Sequence, residues 1–140
     1  MKEVLSPEDR RKIEETLQNT YGAKLNGEKF HVKVLGQSDS IVLKVRLESH
    51  DRMSCYTFDI SAGATANKIN LKQALDLALD FLGFYLDRFF ENNREDLLPL
   101  DYHPYDFGEH TIYARGDYTR PKLDEMANQI LRNGKKTDDE

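Results

Sequence analysis

The chain has 140 residues, 39% of them hydrophobic and 32% charged, with a formal net charge of −5. That is too apolar for a disordered chain, and it is long enough to bury roughly 70% of its unfolded surface in one core. With one cysteine, Cys55, an internal disulfide is excluded.

The charge is unevenly placed. Residues 1–70 hold 11 Lys/Arg against 10 Asp/Glu, and residues 71–140 hold 9 against 15. Between Asp76 and Glu109 there are nine acids and two arginines, Arg88 and Arg94. A surface of that sign repels phosphate backbones, so nucleic acid is not an expected partner. A basic protein or peptide, or a cation, is favoured electrostatically. A solvated acidic face that aids solubility accounts for the same residues. No apolar stretch of signal-peptide length follows Lys2, and the apolar-rich run Leu71–Phe90 carries Asp76, Asp80, Asp87 and Arg88. Neither a leader nor a membrane span is expected, and the expected location is the cytoplasm.

Ser6-Pro7-Glu8-Asp9 reads as a helix start: a hydroxyl to accept an orphan N–H, a proline for the first position, an acid three residues after the cap. Leu5, Ile13, Leu17 and Tyr21 give a thin apolar stripe, and Gly22 is placed to end the helix. Three segments of period two follow. Phe30, Val32 and Val34 alternate with His31 and Lys33; Ile41, Leu43, Val45 and Leu47 with Val42, Lys44 and Arg46; Tyr56, Phe58 and Ile60 with Cys55, Thr57 and Asp59. Short polar connectors join them, so the reading is a three-stranded antiparallel meander covered on one face. Ser61 to Lys68 reads as a loop of small residues.

The helix expected over 71–92 is apolar on most of its circumference. Leu71, Ala74, Leu75, Ala78, Leu82, Tyr85, Leu86 and Phe89 form one face, widened by Leu77, Phe81 and Phe84. Such a helix must bury more than one flank, against the sheet and against another helix or a second subunit. A homodimer follows if Leu77, Phe81 and Phe84 cannot be covered within one chain. Gly83 costs about 1 kcal/mol there relative to alanine, which a close helix contact would offset. Residues 92–108 read as irregular chain broken by Pro99 and Pro104, and His110–Arg115 as a strand with Ile112 and Ala114 inward. A last helix from Pro121 carries the stripe Leu123, Met126, Ala127, Ile130, Leu131, and 135–140 is a charged tail expected to be disordered. The expected fold is one α+β domain over 1–134, an antiparallel sheet of three to five strands with the long helix across one face and two flanking helices.

Candidate chemistry concentrates between 101 and 118. Asp101, His103, Asp106, Glu109 and His110 could ligate a divalent ion by residue type, although their spacing matches no metal motif and a turn capping its own backbone needs no ion. Tyr102, Tyr105, Phe107 and Tyr113, beside Arg115, have the composition of a protein-binding surface, and equally of a loop that covers the sheet edge. Cys55 with His50 or His31 could form a nucleophile pair, but reads more simply as a buried inert thiol. The His50-Asp51 pair lies at a hairpin tip, Asp80 and Asp87 lie two turns apart on one helix, and Ser61–Lys68 lacks the residues of a phosphate loop. No cofactor motif is present.

The order of elements from Pro7 to Leu131, with the small size and acidic balance, resembles that of type III secretion chaperones and related small chaperone-like folds. The resemblance implies a cytoplasmic homodimer without enzymatic activity that holds an extended partner segment along its sheet. It matches no motif residue by residue, so no site comes with it, and the first helix here is more polar than in such chaperones. The functional expectation is a non-catalytic protein-interaction module, chaperone-like and dimeric. The alternative is an ion- or small-ligand-binding protein or enzyme using the 101–110 cluster, or a pocket between sheet and helix.

Overall fold

The computed structural model describes residues 2–36, 40–64, 71–107 and 110–119, without the side chains of Lys2, Ala64 and His110. Its fold is α+β, as the periodicities require. Strand β1 (Lys2–Glu3) precedes helix α1 (Pro7–Tyr21) and a short 3₁₀ turn (Gly22–Lys24). Strands β2 (Lys29–Gly36), β3 (Ser40–Glu48) and β4 (Cys55–Ala64) come next, then helix α2 (Leu71–Glu91), β5 (His103–Phe107) and β6 (His110–Thr119). The sheet is antiparallel throughout, in the order β1-β2-β3-β4-β6-β5.

Both helices lie on one face. The inward residues Phe30, Val32, Val34, Ile41, Leu43, Val45, Leu47, Phe58, Ile60, Ala62, Ile112 and Ala114 are all buried. Ala74, Ala78, Phe81, Leu82, Tyr85, Leu86, Phe89 and Phe90 of α2 meet them. Phe89 is the hub, with Tyr56, Phe58 and Phe90 set edge-on at 5.0, 5.3 and 5.2 Å. The Tyr21 hydroxyl joins α1 to α2 by donating to Asp87 Oδ1 at 2.9 Å. The other face of the sheet carries no helix among the described residues.

Several local expectations hold in detail. The Asp9 N–H donates to Ser6 Oγ at 3.1 Å, and Asp51 Oδ1 accepts from Ser49 Oγ and Met53 N, so the acid at that hairpin tip shapes the turn. Other expectations are corrected. Ser61–Ala64 is strand and not loop, because β3 and β6 pair with it on both sides and Ala62 fills a core position. His103–Phe107 is a strand despite Pro104: β5 is an edge strand, where a missing N–H need not break a ladder. Gly22 does end α1, which stops at Tyr21, but without a left-handed conformation: its φ is −53°, and the chain tightens into the 3₁₀ turn. Gly83 marks no close helix contact, since a Cβ there would meet nothing within 4 Å. Cys55 is half-buried, not buried. The helix expected beyond Pro121 and the tail 135–140 lie outside the described residues.

Polar residues of α1 close one edge of the sheet. Glu14 Oε2 accepts the Val32 N–H at 2.8 Å, Gln18 Oε1 accepts the Phe30 N–H at 3.1 Å, and Gln18 Nε2 donates to the Glu28 carbonyl at 2.8 Å. With β1 on Leu35 and Gly36, β2 presents no long row of free donors. The opposite edge, β5, is short and carries the proline.

Candidate functional site

The connection from α2 to β5 builds a concavity on the helix-bearing side. It leaves α2 through Asn93 and Arg94, whose φ values of 55° and 66° turn the chain sharply. Arg94 then anchors it: Nη1 and Nη2 donate to Glu28 at 2.6 and 2.5 Å, and Nη2 also reaches the Lys24 carbonyl at 2.9 Å. Burial works to raise the Glu28 pKa, but the Arg94 hydrogen bonds, the Asn26 N–H and the Arg94 charge together hold it below the ordinary range.

Further along, Tyr85 of α2 fixes the segment from below. Its hydroxyl donates to the Asp96 carbonyl and accepts the Leu98 N–H at 3.0 Å. Burial pushes the phenol pKa well up, so it remains a donor at any ordinary pH. Leu98 is buried against Gly116, whose N–H donates to the Pro99 carbonyl at 2.9 Å.

Between this segment, β5 and α2 lies a cleft of about 260 Å³. Its floor is Phe81, Tyr85, Leu98 and Tyr105, with the Phe81 ring 5.2 Å from Tyr105 and 5.9 Å from Phe107. Its mouth is unusually apolar: Phe84 is 61% exposed, Phe107 47% and Leu97 41%. Arg88 and Asp96 stand at the same mouth, their charged groups 4.0 Å apart. Phe84 also sits within the acidic stripe of α2, among the exposed Asp76, Asp80, Asp87 and Glu91, one turn from Asp80 and Arg88.

The residues expected to form a partner surface are divided between two faces. Tyr105 and Phe107 alternate onto the helix side, in register with Ile112 and His110, and belong to the cleft. Tyr102, Tyr113 and Arg115 do not join them. Arg115 lies on the open face, bonded to Asp59 Oδ2 through Nε and Nη2 at 3.1 and 3.0 Å, with its guanidinium 4.6 Å over the Tyr102 ring. Tyr113 shares that face and is 42% exposed.

The proposed ion ligands are likewise split by the period of the strand. His103 packs edge-on to Tyr105 at 5.2 Å on the helix side, while Asp106 points to the other side and accepts from Thr111 Oγ1 at 3.2 Å. Asp101 precedes the strand and is exposed; Glu109 and the His110 side chain lie outside the described residues. Among the described residues no three His, Cys, Asp or Glu side chains converge to hold a metal, and no helix is long and apolar enough to cross a membrane.

Sequence reasoning missed Phe84, Leu97, Arg88 and Asp96 as site residues. The helical periodicity places Phe84 on a widened core face, and its exposure follows from the sheet covering α2 on one flank among the described residues. Comparison with known proteins finds no matching family model, no similar curated protein and no similar solved structure.

Proposed function

We propose that the protein is a non-catalytic, cytoplasmic interaction module that captures a partner polypeptide by one or two large apolar side chains in the cleft between α2 and β5. The exposure of Phe84, Phe107 and Leu97 around a preformed apolar floor carries this reading. Large apolar side chains gathered at one concavity, with a charged rim, are the pattern of a binding hot spot. The volume is below the roughly 300–1,000 Å³ of most small-molecule sites and suits an anchoring side chain better than a cofactor. The carboxylates of α2 beside Phe84 favour basic residues flanking the anchor. An extended segment laid along the sheet has less to hold it, because α1 occupies the N–H groups of Phe30 and Val32 and β5 contains Pro104.

Selecting a random peptide library on the purified protein tests this. Enriched peptides should carry a large apolar residue next to Lys or Arg. They should bind at least tenfold more weakly to the Phe84→Ser and Leu97→Ser variants, whose melting temperatures stay near the wild type. Binding indifferent to both substitutions, or selection of acidic peptides, refutes the reading. A homodimer through the same cleft is the second reading, favoured by Arg88 and Asp96 at one mouth: a twofold-related copy matches each charge with its opposite. Sedimentation equilibrium would then show a dimer that Arg88→Glu disrupts; a monomer at about 100 μM, where even a weak dimer populates, removes it.

A further inference from the structure

We infer that the concave corner between α1 and the open face of the sheet binds a small phosphate-bearing ligand. This site is separate from the cleft and does not rest on the proposal above. The corner encloses about 370 Å³, within the range of small-molecule sites. Four permanent cations line it, Arg10 from α1, Lys33 from β2, and Lys44 and Arg46 from β3, together with His31. The one acid in the wall, Glu14, has its Oε2 committed to the Val32 N–H at 2.8 Å.

The register makes this arrangement costly. Lys33 pairs across the ladder with Lys44, and His31 with Arg46, on the same outward face. A like-charged pair directly opposite destabilises a sheet, where an acid at either position would stabilise it. Three acids offset the cations from outside the corner: Glu3 holds Arg10 at 3.1 Å, Asp59 holds Lys44 at 3.3 Å and Glu48 holds Arg46 at 2.8 Å. They fix the cations in place without filling the space between them. The Lys33 ammonium joins no ion pair among the described residues. Among the described residues Lys33 is thus the one of the four cations left without an acid, directly opposite another lysine, a break in a local rule where a ligand would supply the compensation.

The ligand class follows from the donors. Arg10 and Arg46 each spend one Nη on an acid and retain further N–H donors, and the ammonium of Lys33 adds a point charge, a donor set that suits a tetrahedral dianion more than a single carboxylate. Among the described residues the His31 imidazole is the one ring that lines the corner, with no Phe, Tyr or Trp beside it, so a nucleobase finds little stacking surface there. A sugar phosphate or a polyphosphate fits best.

Nitrogen-15 NMR titration of the intact chain with sodium pyrophosphate, at ionic strength held constant with sodium chloride, tests the inference. Saturable shifts are expected at Arg10, His31–Lys33 and Lys44–Arg46, with a dissociation constant of about 1 mM or tighter. Lys33→Glu should weaken binding at least tenfold and, by relieving the clash with Lys44, raise the melting temperature by about 1–3 °C. Those opposite signs separate a binding residue from a structural one. Lys44→Gln should weaken binding at least fivefold, while Lys72→Glu on α2 changes nothing. Shifts that stay linear to about 20 mM, affinity within twofold of wild type in both Lys33→Glu and Lys44→Gln, or citrate binding as tightly as pyrophosphate would each overturn it.

Discussion

Removing the Glu28 carboxylate is the sharpest test of how the α2–β5 connection is held. Glu28 is 6% exposed and Arg94 has 18% side-chain exposure. The carboxylate accepts both Arg94 Nη groups and the Asn26 N–H, the last at 3.1 Å. The guanidinium lies 5.4 Å from the Phe90 ring and 5.8 Å from the Tyr56 ring, so it cannot swing into water without breaking ring contacts. Exposed ion pairs contribute about 0–1 kcal/mol, whereas breaking a buried pair by deleting one partner costs about 3–5 kcal/mol. Burial decides between them: Glu28→Ala should cost about 3–5 kcal/mol, roughly a fifth or more of the stability of a typical domain. Glu28→Gln keeps one acceptor and should cost about 1.5–3 kcal/mol. Glu28→Leu combined with Arg94→Met should cost less than Glu28→Ala alone, since no charge is left stranded. The chain has no tryptophan, so urea denaturation followed by far-ultraviolet circular dichroism is the suitable assay.

The pH dependence carries the same test. The folded Glu28 pKa lies below its unfolded value, so its contribution is complete above the ordinary glutamate range and is lost as pH falls through the folded value. The gap between wild type and Glu28→Gln should therefore be widest near neutrality and close in acid. A cost under about 1 kcal/mol for Glu28→Ala, or a gap that does not narrow in acid, refutes the assignment of a buried, charged anchor.

Two glycines give predictions of opposite sign. Gly83→Ala meets nothing within 4 Å and should stabilise α2 by about 0.5–1 kcal/mol, read as a higher midpoint in urea. Gly116→Ala would place a Cβ 3.0 Å from Leu98 Cβ and 3.3 Å from the Thr57 carbonyl oxygen, so it should cost about 1–3 kcal/mol, with faster hydrogen exchange at Leu98.

The meander was legible because period two survives in sequence: Phe30, Val32 and Val34 could lie in a half-covered sheet only if His31 and Lys33 faced out. The 71–92 helix was legible for the matching reason, its period near 3.6. What stayed hidden depends on pairing between distant segments. Ser61–Ala64 has the composition of a loop and becomes strand only because β3 and β6 flank it. Glu14 and Gln18 lie off the apolar stripe of α1, and their role at the edge of β2 depends on a strand far along the chain. The basic corner was invisible for a related reason, since the opposition of Lys33 to Lys44 exists only once the register is known. The aromatic run from Tyr102 to Tyr113 misled in one respect: closeness in sequence suggested one surface, and strand alternation sent Tyr105 and Phe107 to one face and Tyr113 and Arg115 to the other.

The cleft and the core are not independent. The far wall of the cleft is irregular chain, and three attachments keep it there: Arg94 on Glu28, the Tyr85 hydroxyl on Asp96 and Leu98, and Leu98 seated on Gly116. Apart from the Asp96 backbone carbonyl, none of the three lies in the mouth, where Phe84, Leu97 and Phe107 are exposed. A substitution at the mouth should therefore remove binding and leave stability, while one at an attachment should displace Leu97 and weaken both together. Gly116→Ala separates these cases most cleanly, because its added methyl presses on Leu98 and touches no residue of the mouth. If peptide capture survives in Gly116→Ala despite a measured loss of stability, the wall does not shape the site, and the exposed rings alone must account for it.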